Sequence, residues 1–481
     1  MPCLIKKNKA FKLVKIVYLC LTLAVATQLG ACKDDDIDSD VIEVPNTYDF
    51  KSLNQPEESS VNYRAATTRL RLIKELESLI ESDYLQQVGE EQGETAVISI
   101  LNTVYEGGTF NNSNSLVTTN IYDSSDIGSP TPIRAIKLEP SLSLIQKTYS
   151  DITPNINIKN LLPSDKNVLP LSKNGITKLL GWSHTIEPIH TYIDTKIQAW
   201  FRSIAQIAAD GDPTTKYTSN INYKALLVNF LYGAIGYAQT TNSYLKDPIQ
   251  LTSNQIEGTP TLIEKQHKWD MAFGYFGAPA SITETSHEHL RNAEFIDINK
   301  DGLVDIYSEA IISDYINTSA GLDADSVYLS TNFTNNLMNS FLLGRALIDA
   351  SPSSNDQKQL ELTDQLKHKQ QLIIEEWEKV IAAQMIHTIN IIGRSAPYWE
   401  VLSSYDELYI NNWSILKAQA LILQFSPSSS FTYDELHQMH IDIGTQPYKQ
   451  HALNSYLGKI FNLRQDLMLK FEFSDIDVEN W

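Results

Sequence analysis

From about residue 61 onward the chain is written in a helical period. In "RLRLIKELESLIESDYL", Leu72, Ile73, Leu76, Leu79 and Ile80 recur at i, i+1, i+4, i+7 and i+8, one apolar stripe of an amphipathic helix. "ETAVISILNTVYEGG" predicts a second helix, stopped by Gly107 and Gly108. Residues 107–172 are rich in Ser, Asn, Pro and Thr and read as a long loop. Periodicity resumes at "GITKLLGWSHTIEPIHTYIDTKIQAWFRSIAQIAA", where Pro188 predicts a break because it removes an amide donor and crowds the preceding turn. Helices are also expected over "NYKALLVNFLYGAIGYAQTTNSYL", "LIEKQHKWDMAFGYFG", "NNLMNSFLLGRALIDA", the stretch from Asp356 to Ile392, "NNWSILKAQALILQF" and Leu453 to Phe471. "FTYDELHQMHIDIG" opens with a capping box, Thr432 accepting from the Glu435 amide and Glu435 reaching back. Alternating strand patterns are scarce, and no period of 20–50 residues recurs. The predicted fold is mainly α: a large all-helical domain over residues 61–481, as one body or two packed halves, with long loops.

The N-terminus reads as an address. Lys6, Lys7, Lys9, Lys12 and Lys15 precede the apolar run "IVYLCLTLAVAT", which is too short to span a bilayer as a mature helix. "LGAC" follows, and this order resembles the lipobox of bacterial lipoproteins. The resemblance implies removal of residues 1–31 as a signal peptide and acylation of Cys32. The three cysteines of the chain are Cys3, Cys20 and Cys32, so the mature chain could form no disulfide. The acids of "KDDDIDSD" resemble an export signal that places lipoproteins on the outer face of the outer membrane. Residues 32–60 therefore read as a lipidated cysteine on an acidic, flexible tether.

Charge narrows the partners. Loss of residues 1–31 would remove five lysines and no acid, taking the formal net charge from −20 to −25. So acidic a body argues against nucleic acid and against anionic headgroups, both of which need a basic patch.

The strongest chemical pattern is "DINKDGLVDIYSE". In EF-hand-like loops, oxygens at positions 1, 3 and 5 converge on Ca²⁺, glycine at 6 allows the turn, a carbonyl at 7 ligates and an acid closes the shell. Asp297, Asn299, Asp301, Gly302 and the carbonyl of Leu303 fit, and Asp305 fits position 9. Ser308 stands where the closing acid belongs, and Glu309 comes one residue late. The expectation is a structural Ca²⁺ loop between helices.

Other polar groups are weaker signals. His267 and Asp270 lie at i, i+3 beside Trp269, as a pocket with one polar pair or as a packed aromatic helix. His287, Glu288 and His289 in "SHEHL", and His437 and His440 in "HQMH", are metal-ligand types that need distant partners, or else polar faces. The chain holds no His-Glu-x-x-His, no Gly-x-Ser-x-Gly, no Walker loop and no Gly-x-Gly-x-x-Gly.

Five stretches in order, "LLVNFLYGAIGYAQTTNSYL", "HKWDMAFGYFGAP", "DINKDGLVDIYSE", "WEKVIAAQMIHTIN" and "NNWSILKAQALILQFSPSSSFTYDELHQMHIDIG", resemble an uncharacterised domain-of-unknown-function family of bacterial envelope lipoproteins. Its members are often encoded near imelysin-like lipoproteins and TonB-dependent receptors. The resemblance spans residues 45–480. It implies a non-catalytic accessory or binding lipoprotein of an outer-membrane uptake system, in iron or haem acquisition. Gly181, His184 and Glu187 approach the Gly-x-His-x-x-Glu signature of imelysin-like proteins, but with one residue too many after the glycine. Two other readings stand beside the first. A glycan-binding surface lipoprotein requires exposed Trp or Tyr platforms. A metal-dependent hydrolase requires His184, His267, His287 and His289 to meet in one cleft.

Overall fold

Helices form where the apolar stripes run. The computed structural model describes residues 42–52, 57, 59–105, 180–181, 189–211, 220–247, 249, 260–297, 300, 308–326, 331–351, 354–398, 403–448 and 450–481. Helix α1 spans Arg64–Glu81, α2 Asp83–Gln92 and α3 Glu94–Tyr105. Leu72, Ile73, Leu76 and Leu79 of the predicted stripe are buried, and Ile80 is half-buried at its margin. Ser82 breaks the run into two helices by capping α2, its hydroxyl accepting from the Leu85 amide at 3.3 Å. Helix α4 (Ile189–Ala209) begins directly after Pro188. The glycines expected to end α3, and the loop over 107–172, lie outside the described residues.

Helix α5 (Tyr223–Leu231) is capped by Asn222, whose side chain accepts from the Ala225 amide. It then widens into π-helical turns over Tyr232–Tyr237 and Gln239–Tyr244. Apolar periodicity predicts a plain helix here and cannot see the wider winding. Gly233 lies in the first of these turns. A Cβ there would come within 2.3 Å of the Ile422 side chain, so only glycine lets the helix sit this close to its neighbour.

The remaining helices are α6 (Pro260–Phe276), α7 (Asp314–Asp325), α8 (Phe333–Ala350), α9 (Asp356–Ser395), α10 (Ser403–Ile422), α11 (Tyr433–Ile443), α12 (Gln450–Phe471) and α13 (Asp475–Asn480). The 40-residue α9 is the axis of the bundle, packed by α7, α8, α10, α12 and α13. The predicted capping box is present: the Glu435 amide donates to Thr432 Oγ1 at 3.3 Å, and the Thr432 amide to Glu435 Oε2 at 2.6 Å. Extended pairing among the described residues is confined to two isolated antiparallel bridges, Lys51↔Ser59 and Phe295↔Ala310.

The folded body runs Val44–Trp481 as one compact unit, so the flexible tether expected to residue 60 is corrected at its C-terminal end. The reason is aromatic. Tyr48 and Phe50 are buried, and the Tyr48 ring stacks on Phe273 at 3.7 Å. Beneath them lies a buried ion pair joining this N-terminal segment to α6 and α8. Arg345 Nε donates to Asp270 Oδ1 at 3.0 Å, and both side chains are fully buried. Asp270 also accepts from the Tyr48 hydroxyl at 2.9 Å and the Asn62 amide at 3.0 Å. The guanidinium further donates to Ser60 Oγ at 2.8 Å and to Asp349, and lies over the Phe50 ring at 5.0 Å. Nearby, Trp269 lies across the backbone of α8, where a Cβ on Gly344 would fall 1.9 Å from the indole.

Removing one partner of a buried ion pair strands the other in a low-dielectric interior. Arg345→Met is expected to lower unfolding free energy by about 3–5 kcal/mol in urea titration, and the double variant Asp270→Leu/Arg345→Met to recover most of it. Equal losses in the single and double variants would show that the pair's charge balance is not what anchors this segment.

Candidate functional site

Three helices that should bury purely apolar stripes instead turn polar faces toward a common space. On α9, Gln384, His387, Thr388 and Ile391 fall at i, i+3, i+4 and i+7. On α5 the same spacing presents Ala225, Val228, Asn229 and Tyr232, the last being the first residue of the π-helical turn. On α10, Asn411, Asn412, Ile415 and Gln419 complete the third wall. The start of α7 adds Asp314, Tyr315, Asn317 and Thr318, and Glu77 of α1 and Lys224 of α5 stand beside them. The cavity they enclose measures about 410 Å³. π-helical turns recur at functional sites because they displace side chains from the regular α path.

The amides are oriented by bonds to their own surroundings. Asn229 donates to the Ala225 carbonyl at 2.9 Å and Asn412 to the Leu408 carbonyl at 2.8 Å, each four residues back on its helix. Asn317 donates to the carbonyls of Leu290 and Ala293 at 2.7 and 2.8 Å. Their three Oδ1 atoms take no hydrogen bond among the described residues. Asn411 and Gln419 are held the other way round. Asn411 Oδ1 accepts from Asn222 at 3.0 Å, and Gln419 Oε1 accepts from Thr388 at 3.3 Å, which leaves their NH₂ groups to donate. Gln384 lines the same space and makes no side-chain hydrogen bond among the described residues, although it is buried.

Charge gathers at the more exposed end, where three carboxylates share two lysines. Lys224 Nζ lies 3.7 Å from Glu77 and is also bonded to Glu81, while Lys74 Nζ lies 3.7 Å from Asp314. Burial, and then the neighbouring Asp314 carboxylate, push the Glu77 carboxyl up. On the inner wall, burial holds His387 below the usual imidazole range.

The residues singled out by sequence do not line this cavity. Trp269 and Asp270 are buried in packing, the indole donating to the Phe341 carbonyl at 2.9 Å and the carboxylate bound to Arg345. His267 turns outward and meets the Asn62 carbonyl at 3.2 Å. Of the two readings of His267, Trp269 and Asp270, the packed aromatic helix is the one found, with an ion pair at Asp270. "SHEHL" forms one helical turn, His287–Leu290, capped by Ser286. At i, i+2 on a helix the two imidazoles diverge: His287 approaches Asp323 at 3.8 Å and His289 is exposed. His437 stacks on Tyr433 at the surface, whereas His440 is buried, held well below the usual range by burial and by nearby Lys417. Lys417 donates to the Gly444 carbonyl at 2.8 Å, and burial draws its ammonium down to about 7. His184 and Glu187 lie outside the described residues, as does Cys32. Among the described residues, no three His, Cys, Asp or Glu side chains gather as a metal site.

Of the expected Ca²⁺ loop, Asn299, Asp301, Leu303 and Asp305 lie outside the described residues. Its two ends are visible. The Phe295↔Ala310 bridge brings them together, the Ile296 amide donating to the Glu309 carbonyl at 2.8 Å and the Ile311 amide to the Glu294 carbonyl at 2.9 Å. An isolated antiparallel bridge closes the loop, and Ala310, Ile311 and Ile312 are buried before α7 begins at Asp314.

The cavity amides carry no motif. Their signal in the sequence is a run of Asn, Gln and Thr at core spacings, as in "QMIHTINI" and "NNWSILKAQ", where a packed helix would place Leu or Ala. Comparison with protein-family models, with curated proteins and with solved structures finds no match.

Proposed function

We propose that this chain is a non-catalytic binding lipoprotein of the outer membrane. In this reading it is tethered through Cys32, faces outward, and its helical body holds a small polar solute. The observation that carries the reading is the amide-lined cavity between α5, α7, α9 and α10. Its volume of about 410 Å³ falls within the range of roughly 300–1,000 Å³ typical of small-molecule sites. Their unbonded oxygens and NH₂ groups stay open to the cavity, so a stripe of them on three facing helices offers hydrogen bonds to a ligand there. Both carboxylates at the cavity, Glu77 and Asp314, are tied to lysines, which suits a binding wall better than an acid–base pair.

The role beside an uptake system, with a TonB-dependent receptor or an imelysin-like lipoprotein as partner, rests on the sequence resemblance. An amide lining gives iron or haem little to ligate, since these take carboxylate, imidazole or thiolate donors. A small organic solute is the better cargo. For the glycan reading through surface platforms, Trp200, Trp269, Trp377, Trp413 and Trp481 are buried, Trp182 and Trp399 lie outside the described residues, and Tyr398 is exposed. Ca²⁺ is proposed as a structural ion of the loop from Asp297 to Glu309, whose ends the Phe295↔Ala310 bridge already draws together.

Native mass spectrometry of the protein released from its own envelope tests solute binding. The wild type is expected to carry a small organic adduct that Ala225→Trp, which fills the cavity, does not. The same adduct on both proteins, or an adduct on neither, would overturn the reading. For the loop, calorimetric titration with Ca²⁺ is expected to give binding heat with the wild type and little with Asp301→Ala. No heat from the wild type removes the ion.

A further inference from the structure

Resting on the solute-binding reading, we propose that the cavity takes a neutral polyhydroxylated ring, a sugar of one or two pyranose units. Three features select this class. First, the wall offers acceptors and donors side by side: the fixed Oδ1 atoms of Asn229, Asn317 and Asn412 accept, and the NH₂ groups of Asn411 and Gln419 donate. A hydroxyl both donates and accepts, so a polyol can answer every one of them, whereas an ammonium can only donate and a carboxylate can only accept. Gln384, which offers both an oxygen and an NH₂, suits the same ligand.

Second, the charges at the cavity do not suit an anion. Glu77 and Glu81 share Lys224, and Asp314 faces Lys74, so three carboxylates stand against two ammoniums. An anion would meet this excess and have to break a pair on entry, while a neutral solute leaves the pairs as a rim. Third, the polar groups alternate with apolar surface. Val228, Ile391 and Ile415 lie among the amides, and Tyr232 and Tyr315 also line the wall. This amphipathic wall matches a pyranose, whose hydroxyl edge is polar and whose C–H faces are not.

The test is a calorimetric panel on the mature chain. Its neutral arm is D-glucose, D-xylose, N-acetyl-D-glucosamine, maltose and cellobiose, and its charged arm is putrescine, L-glutamate and succinate. At least one neutral sugar is expected to bind with a dissociation constant below about 1 mM, and the charged arm not to bind. Gln384→Leu and Asn412→Leu, each checked for native circular dichroism, are expected to weaken that sugar roughly tenfold, the loss of one good hydrogen bond. A charged solute binding in place of every sugar would overturn the inference, as would a panel with no sugar bound. Sugar affinity untouched by both substitutions would overturn it too, by placing the sugar elsewhere. An adduct on the native protein together with a silent sugar arm would sink the sugar assignment alone and leave solute binding standing.

Discussion

A side-chain amide taken out of water costs about 1–3 kcal/mol for each group it leaves unpaired, and a helical bundle offers few partners because its backbone is already bonded. The amides between α5, α7, α9 and α10 meet that constraint by facing a cavity, so that none of their unbonded atoms is buried. Asn229 and Asn412 return their NH₂ groups to carbonyls one turn back on their own helices. Asn317 reaches across to Leu290 and Ala293. What remains is a set of oxygens and amino groups held in place by the fold and aimed inward. Had these positions been Leu or Ala, the helices could have closed on one another. The winding of α5 belongs to the same account: at Tyr232 the helix widens at the cavity wall, and Gly233 presses it onto α10 behind.

The rest of the body supplies the rigidity that an open cavity gives up. Helix α9 is buried along most of its length by α8, α10 and α12. The N-terminal segment is fastened by the Asp270–Arg345 pair, with Tyr48 stacked on Phe273 above it. That fastening shortens any tether: a chain anchored at Cys32 would have only the residues up to Val44 before the body begins.

Much of the fold was legible in the sequence. The apolar stripe of α1, the 40-residue α9 and the Thr432–Glu435 capping box are all local patterns, and each appears where spacing predicts it. The widened turn after Leu231 was hidden because α and π winding draw on the same residues. The burial of Tyr48 and Phe50 was hidden because their partners, Phe273 and Arg345, lie more than two hundred residues away. The site itself was the least legible part. Sequence reasoning favours residues with strong individual chemistry and so lighted on His267 and Asp270, which serve packing. An asparagine at a core spacing is a weak letter alone, and it acquires meaning only when three helices turn such letters to one space.

The central claim is that these amides form a ligand-binding wall and are not merely inefficient packing. A crystal structure of the protein isolated from its own envelope tests it most directly. The account predicts electron density for a small hydroxyl-rich solute within hydrogen-bonding distance of Asn229, Gln384 and Asn412. A cavity closed by Gln384 and Gln419 bonding to each other, or one holding ordered water alone, would contradict it.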